Sequence, residues 1–154
     1  YGNVNTTAVG PYARPKVRLP GSGGGTELSS LGRNLTLVNA SSSKRSYPER
    51  VDYVTSPGYL GGAQERSRLG YKPGTGPSPL VNPLGLCKFD EQGEMYLAAL
   101  HADISPEEAK ASFGWPIRIK DGYEVLAAPT ADELKVVREE LAHARERYYL
   151  LPEE

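Results

Sequence analysis

A chain of 154 residues, 38% hydrophobic and 24% charged, is long enough to bury the core of one domain. Its net charge of −1 argues against a polyanionic partner, so neither nucleic acid nor an anionic membrane surface is expected. No apolar run approaches a membrane span and no secretion signal is visible. The single cysteine, Cys87, excludes an internal disulfide, and a reducing, cytoplasmic setting is expected.

Tyr1–Val9 reads as extended chain, with Val4, Thr6, Thr7 and Val9 favouring strand. Lys16–Leu19 is a short alternating strand that runs through Pro20 into Gly21-Ser22-Gly23-Gly24-Gly25. Thr26–Leu31 follows as a short helix, with Thr26 as its N-cap and Gly32 as its stop. Asn34–Asn39 is compact and apolar, a buried strand. Strand, glycine turn, helix and strand together are α/β grammar. Arg50–Thr55 is a further short apolar run. From Ser56 to Pro79 no periodicity is visible, so the segment is expected to run over the surface as a long loop. Leu80–Phe89 and Glu94–His101 form a hairpin about Asp90-Glu91-Gln92-Gly93.

Ser105-Pro106-Glu107-Glu108 is a capping box that opens a helix to about Phe113, ended by Gly114. Thr130-Ala131-Asp132-Glu133 repeats the device. It predicts a long C-terminal helix to about Tyr148, with Leu134, Val137, Leu141 and Ala144 as a buried stripe. No internal repeat occurs. The chain starts at Tyr1 without a methionine, as a portion of a longer protein would.

Chemistry concentrates at Gly21–Gly25. Four glycines in five positions, between a strand and a helix, let backbone N–H groups reach a phosphate or an oxyanion with no Cβ in the way. The pattern lacks the third glycine of a dinucleotide fingerprint and the Gly-Lys-Ser/Thr of a P-loop. A turn chosen for geometry alone would look the same. Cys87, in an apolar strand, reads as a core residue rather than a nucleophile, although His101 could lie across the hairpin from it. His101 and His143 have no companions at ligand spacing, so no metal is expected. Lys44 and Arg45, after a strand end, suit either a phosphate or a solvated loop. The sequons at Asn5, Asn34 and Asn39 read as chance matches.

In sequence order, three segments resemble the β subunits of family I CoA-transferases. They are Tyr1-Gly2-Asn3-Val4-Asn5-Thr6-Thr7, Pro15-Lys16-Val17-Arg18-Leu19-Pro20-Gly21-Ser22-Gly23-Gly24 and Arg50-Val51-Asp52-Tyr53-Val54-Thr55-Ser56-Pro57-Gly58-Tyr59-Leu60. Phe89-Asp90, Gly93-Glu94-Met95-Tyr96-Leu97, Ile104-Ser105-Pro106-Glu107-Glu108 and Phe113-Gly114-Trp115 continue the match, which extends to about Leu141. The glutaconate CoA-transferase branch is the most similar. The resemblance implies an open, mostly parallel α/β sheet flanked by helices. It also implies that residues 1–154 are the C-terminal portion of a β-subunit domain, paired with an α subunit in a hetero-oligomer.

The reaction implied moves coenzyme A between an acyl-CoA and a carboxylic acid through a glutamyl-CoA thioester. Gly23 or Gly24 would donate a backbone N–H to the oxyanion, and Gly21, Ser22, Gly25 and Asn5 would line the acyl-CoA. The family's nucleophile sits in a Glu-Ser/Asn-Gly-type segment upstream of Gly-Asn-Val-Asn, and no glutamate here has that context. The attacking group is therefore expected outside this chain, in an upstream segment, and Glu27 reads as structural. The alternatives on the same fold are a CoA-ester hydrolase, a glutaconyl-CoA decarboxylase and a non-catalytic structural subunit.

Overall fold

A computed structural model of the chain describes residues 1–142. Two sheets organise it. Strands β1 (Ala8–Val9) and β2 (Val17–Arg18) form an antiparallel ribbon in which Ala8 pairs with Arg18 and Val9 with Val17. The larger sheet has five strands: β3 (Leu35–Val38), β4 (Pro77–Asn82), β5 (Gly85–Phe89), β6 (Met95–His101) and β7 (Arg118–Leu126), in the order β3-β4-β5-β6-β7. The sheet is open, as expected. Its outer pairs, β3 with β4 and β6 with β7, are parallel, whereas the inner meander β4-β5-β6 is antiparallel.

The helices are α1 (Gly25–Leu31), α2 (Ala63–Arg68), α3 (Pro106–Ala111) and α4 (Ala131–Lys135). The core gathers on β5, β6 and α3. Leu97 and Cys87 are fully buried, and Leu100, Ala109, Phe113 and Ile117 close around them. Strand β6 is apolar at nearly every position because it is covered on both sides. Tyr47 reaches this core from a loop. Its ring lies 4.9 Å from that of Phe113, and its hydroxyl donates to the Ser41 carbonyl and accepts from Asn82 Nδ2.

Several expectations hold in detail. Gly93 takes a left-handed φ of 78° in the β5–β6 turn, where Asp90 Oδ1 accepts from the Gln92 and Glu94 amides. Thr130 with Glu133 forms the complete capping box of α4, whereas at α3 only the Ser105 half of the expected box forms and the helix ends at Ala111 rather than near Phe113.

Others are corrected. Thr26 does not cap α1; that position is Gly24, and Thr26 lies inside the helix with its hydroxyl spent on the Thr55 carbonyl at 2.7 Å. The apolar run at Asn34–Asn39 is an edge strand rather than a buried one. Its residues alternate, and Val38 is 78% exposed. The apolar run Arg50–Thr55 is irregular, and Ser56 just after it makes an isolated bridge to Val4. The expected loop from Ser56 to Pro79 contains α2 and the start of β4. Leu80–Phe89 is broken into β4 and β5, because Asn82 Oδ1 accepts from the amides of Leu84 and Gly85 and tightens a turn there. Strand β7 was not foreseen.

The last helix also differs. After Lys135 it relaxes into a π-helical turn, Val136–Glu140, which rotates the apolar positions off a single line. Val136, Val137 and Leu141 are all at least 40% exposed, so no buried stripe forms among the described residues. The expected continuation to Tyr148, with Ala144 and His143, lies outside the described residues.

Candidate functional site

The glycine loop is the continuation of β2. The Leu19 amide donates to the Thr7 carbonyl and the Gly21 amide to the Thr6 carbonyl, at 2.9 and 2.7 Å, so the chain is held against the first segment until the glycines begin. Gly21 (φ 96°) and Gly23 (φ 51°) are left-handed, a conformation that costs any residue with a Cβ about 1–2 kcal/mol. The Gly25 amide closes the turn onto the Ser22 carbonyl at 2.8 Å, and the Ser22 hydroxyl donates to the Gly23 carbonyl. The amides of Ser22, Gly23 and Gly24 have no acceptor among the described residues.

The glycines are there for different reasons. A Cβ on Gly25 would meet Ser56 Oγ at 2.9 Å, so packing explains that position. At Gly21, Gly23 and Gly24 nothing lies within 4 Å of where a Cβ would be. Gly24 also has an ordinary φ of −89°. Nothing inside the described chain requires Gly24 to lack a side chain. Gly23 and Gly24 are exposed and Ser22 is partly so, and none of these three amides is spent on the described chain.

What fixes the loop is a set of side chains bonded to backbone. Asn3 Oδ1 accepts from the amides of Gly58 and Leu60, and its Nδ2 donates to the Leu60 carbonyl. Asn5 braces its own turn: Oδ1 accepts from the Thr7 and Ala8 amides, and Nδ2 donates to the Ala8 carbonyl at 2.7 Å. It therefore steadies the stretch whose Thr6 carbonyl holds Gly21. Thr55 Oγ1 accepts from the Thr6 amide and bonds Thr7 Oγ1.

Arg66, on α2, was missed by sequence reasoning and is central to this set. It is 4% exposed, and no carboxylate pairs with it among the described residues. Its guanidinium donates to the carbonyls of Gly58 (2.6 Å), Ser29 (2.9 Å), Pro57 (3.3 Å) and Ser30 (3.4 Å), and to Thr75 Oγ1. It also lies over the Tyr71 ring, 4.3 Å from the centroid. Burial holds its pKa below the ordinary arginine value. Ser29 and Ser30 supply carbonyls of the last turn of α1, so the cation sits at the negative end of the helix that starts at the glycine loop. The only sequence signal was an arginine within a segment without period.

The remaining candidates stay apart from the loop. Cys87 is fully buried and its thiol is pushed up to about 12 by burial alone, which leaves it protonated and unreactive. His101 is no partner for it. Cys87 pairs with Leu97, and four further residues of strand put His101 about 13 Å along. Lys44 and Arg45 are exposed in a turn beside the Ser41-Ser43-Ser46 hydroxyls. Glu27 is exposed in the first turn of α1. A shallow opening of about 750 Å³, lined by Tyr96, Lys110, Arg118 and Lys120 among others, shares no residue with the loop. Among the described residues no group of three His, Cys, Asp or Glu could hold a metal ion, and no helix is long and apolar enough to cross a membrane.

No protein-family model matches the chain. Curated relatives do. The β subunit of glutaconate CoA-transferase from Acidaminococcus fermentans is 39% identical over 142 residues, which is 92% of this chain and 52% of that protein. The β subunit of 3-oxoadipate CoA-transferase from Pseudomonas knackmussii is 33% identical over 139 residues, 90% of this chain and 53% of that one. The crystal structure of the Acidaminococcus fermentans glutaconate coenzyme A-transferase superposes with a TM-score of 0.87 at 36% identity, covering 99% of this chain and 57% of that chain. The decarboxylase AibA/AibB shares the fold at a TM-score of 0.70 and 21% identity, covering 89% of this chain and 50% of that chain. The chain thus spans about half the length of the curated relatives it matches. Over about nine-tenths of its length this chain is similar to CoA-transferase β subunits, and it shares the fold of the glutaconate coenzyme A-transferase structure.

Proposed function

We propose that this chain forms one wall of the acyl-CoA site of a CoA-transferase of the glutaconate or 3-oxoacid type. Gly24 carries the proposal, as an exposed glycine whose missing side chain the fold does not require. Attack of a carboxylate on a thioester turns the carbonyl oxygen into an oxyanion. An N–H fixed in advance beside that oxygen favours the transition state over the ground state. The Gly23 or Gly24 amide supplies that donor. Gly21, Ser22 and Gly25 shape the loop around the acyl-CoA, and Asn5 holds the strand that positions it. The attacking glutamate comes from outside this chain, and a coenzyme A thioester and a carboxylic acid are the substrates. An α subunit completes the enzyme as a cytoplasmic hetero-oligomer.

The relatives at 33–39% identity are named as transferases, whereas the decarboxylase shares 21%, so transfer is preferred to decarboxylation or hydrolysis. The test is Gly24→Val in the assembled enzyme. A Cβ there has nothing within 4 Å among the described residues, so the melting temperature should stay within about 2 °C of wild type, the shift of a surface change of no more than ~0.5 kcal/mol. Valine keeps the backbone N–H but places a branched side chain over it, so turnover of acyl-CoA should fall by about 10²–10³, as if that oxyanion donor were lost. Unchanged turnover with an intact assembly would assign the chain a purely structural role.

A further inference from the structure

A second surface lies on the same strand as the loop and is left unused by the reading above. Residues 1–26 carry Arg14, Lys16 and Arg18 and not one Asp or Glu, in a chain whose net charge is −1. All three cations fall on the β1–β2 ribbon and the turn at its tip, and both residues of β2 are exposed. Two paired positions make a marginal ribbon. Here it is fastened by an aromatic stack: the rings of Tyr12 and Tyr53 are 5.1 Å apart at 24°, with the Arg18 guanidinium 4.9 Å from the Tyr12 centroid. Arg18 also donates to the Tyr12 carbonyl at 3.1 Å. Asp52, the neighbouring acid, spends its carboxylate on the Gly10 amide at 2.8 Å. The stack is nevertheless open to solvent, with Tyr12 56% and Tyr53 37% exposed.

We infer that the β1–β2 ribbon binds the nucleotide end of coenzyme A, its adenine extending the Tyr12–Tyr53 stack and its phosphates meeting Arg14, Lys16 and Arg18. The inference rests on the acyl-CoA reading of the glycine loop. A planar stack backed by a guanidinium suits a heteroaromatic base, which stacks on aromatic faces without needing edge readout. Flexible basic side chains beside it suit phosphates. The spacing suits the same molecule. Arg18 precedes Gly21 by three residues, and Arg14 is at most about 25 Å from Gly21 along extended chain. The acyl thioester can therefore sit at the loop while the phosphates, separated from it by the pantetheine arm, lie along the ribbon.

Binding of coenzyme A, adenosine 3′,5′-bisphosphate and pantetheine to the assembled enzyme tests this by titration calorimetry. Tyr12→Ala and Arg14→Glu should each weaken coenzyme A and the bisphosphate by about ten- to a hundredfold, the range for losing one base stack or a charge contact. Tyr12→Phe should bind as wild type, and pantetheine should not distinguish any of the variants. The Arg14 side chain makes no hydrogen bond or ion pair among the described residues, so Arg14→Glu decides the matter even where Tyr12→Ala unfolds the ribbon. Wild-type affinity for coenzyme A in Arg14→Glu overturns the inference and leaves the acyl-CoA reading standing. Loss of the α subunit with coenzyme A affinity retained overturns it in favour of an acidic protein surface. No binding of coenzyme A by the wild-type enzyme overturns both readings.

Discussion

The central meander and the glycine-loop layer are built on opposite principles. Strands β5 and β6 are held by apolar burial, with Leu97, Leu100 and Cys87 out of solvent and the register set by alternating pairs. The loop layer has no such core. Asn3, Asn5, Thr55 and Arg66 bind backbone groups of segments that are far apart in sequence, and the glycines that matter remain open. Apolar burial is non-directional and tolerates conservative exchange, whereas a hydrogen-bonded clasp specifies a position and fails when one atom is lost. A loop with the proposed role of presenting amides at fixed points is better served by the clasp.

Arg66→Met tests the contrast most severely. It keeps the volume but leaves the Ser29 and Gly58 carbonyls without their charged donor, so a loss of about 4 kcal/mol in unfolding free energy is expected by denaturant titration. A loss below about 1 kcal/mol, no more than one ordinary hydrogen bond, would show the clasp to be incidental. Leu97→Ala in the meander should cost about 3 kcal/mol, as cavities in packed cores do. It should leave the affinity for acyl-CoA unchanged, whereas Arg66→Met should weaken it.

Cys87 gives a smaller effect with a definite sign. Its folded pKa is about 12, above the unfolded thiol near 8.5, so above pH 8.5 the folded state holds a proton that the unfolded state has released. Its stabilising contribution is therefore complete below about pH 8.5 and is lost as pH rises toward 12, by at most about 1.4 kcal/mol per pH unit. Cys87→Ala should flatten that part of the alkaline denaturation profile. An identical slope in the variant would show that the thiol is not the source.

Legibility in the sequence follows the same division. The β5–β6 hairpin, the Ser105 and Thr130 caps and the buried thiol were all readable, because periodicity and capping are local signals. The glycine loop was readable as a turn, but its open amides were not. Whether a glycine faces Ser56, as Gly25 does, or empty space, as Gly24 does, is a property of a contact 31 residues away. Arg66 was invisible for the same reason, since its partners come from α1 and from two other segments. Strand β7 escaped because its residues are mostly charged or exposed and gain their place from pairing with β6. The reading of Asn34–Asn39 as buried mistook apolar composition for burial, and an edge strand shows one face to solvent.

The mixed order of the main sheet, finally, has a kinetic consequence. Its antiparallel centre is closed by turns of a few residues, while β3 meets β4 only after residues 39–76 have been laid down between them. Closing a long loop has an entropic cost that a tight hairpin avoids, so the meander should form early and the β3–β4 pair late. The glycine loop and α1 precede β3 and are tied to residues 55–66, so they should be organised only when that pairing completes. Pulsed hydrogen exchange during refolding should show protection of the Leu97 amide before that of Gly21. The reverse order would mean that the loop nucleates its own fold. In the expected order, presentation of the Ser22, Gly23 and Gly24 amides is the last property this chain acquires, so no half-folded intermediate could offer them to a ligand.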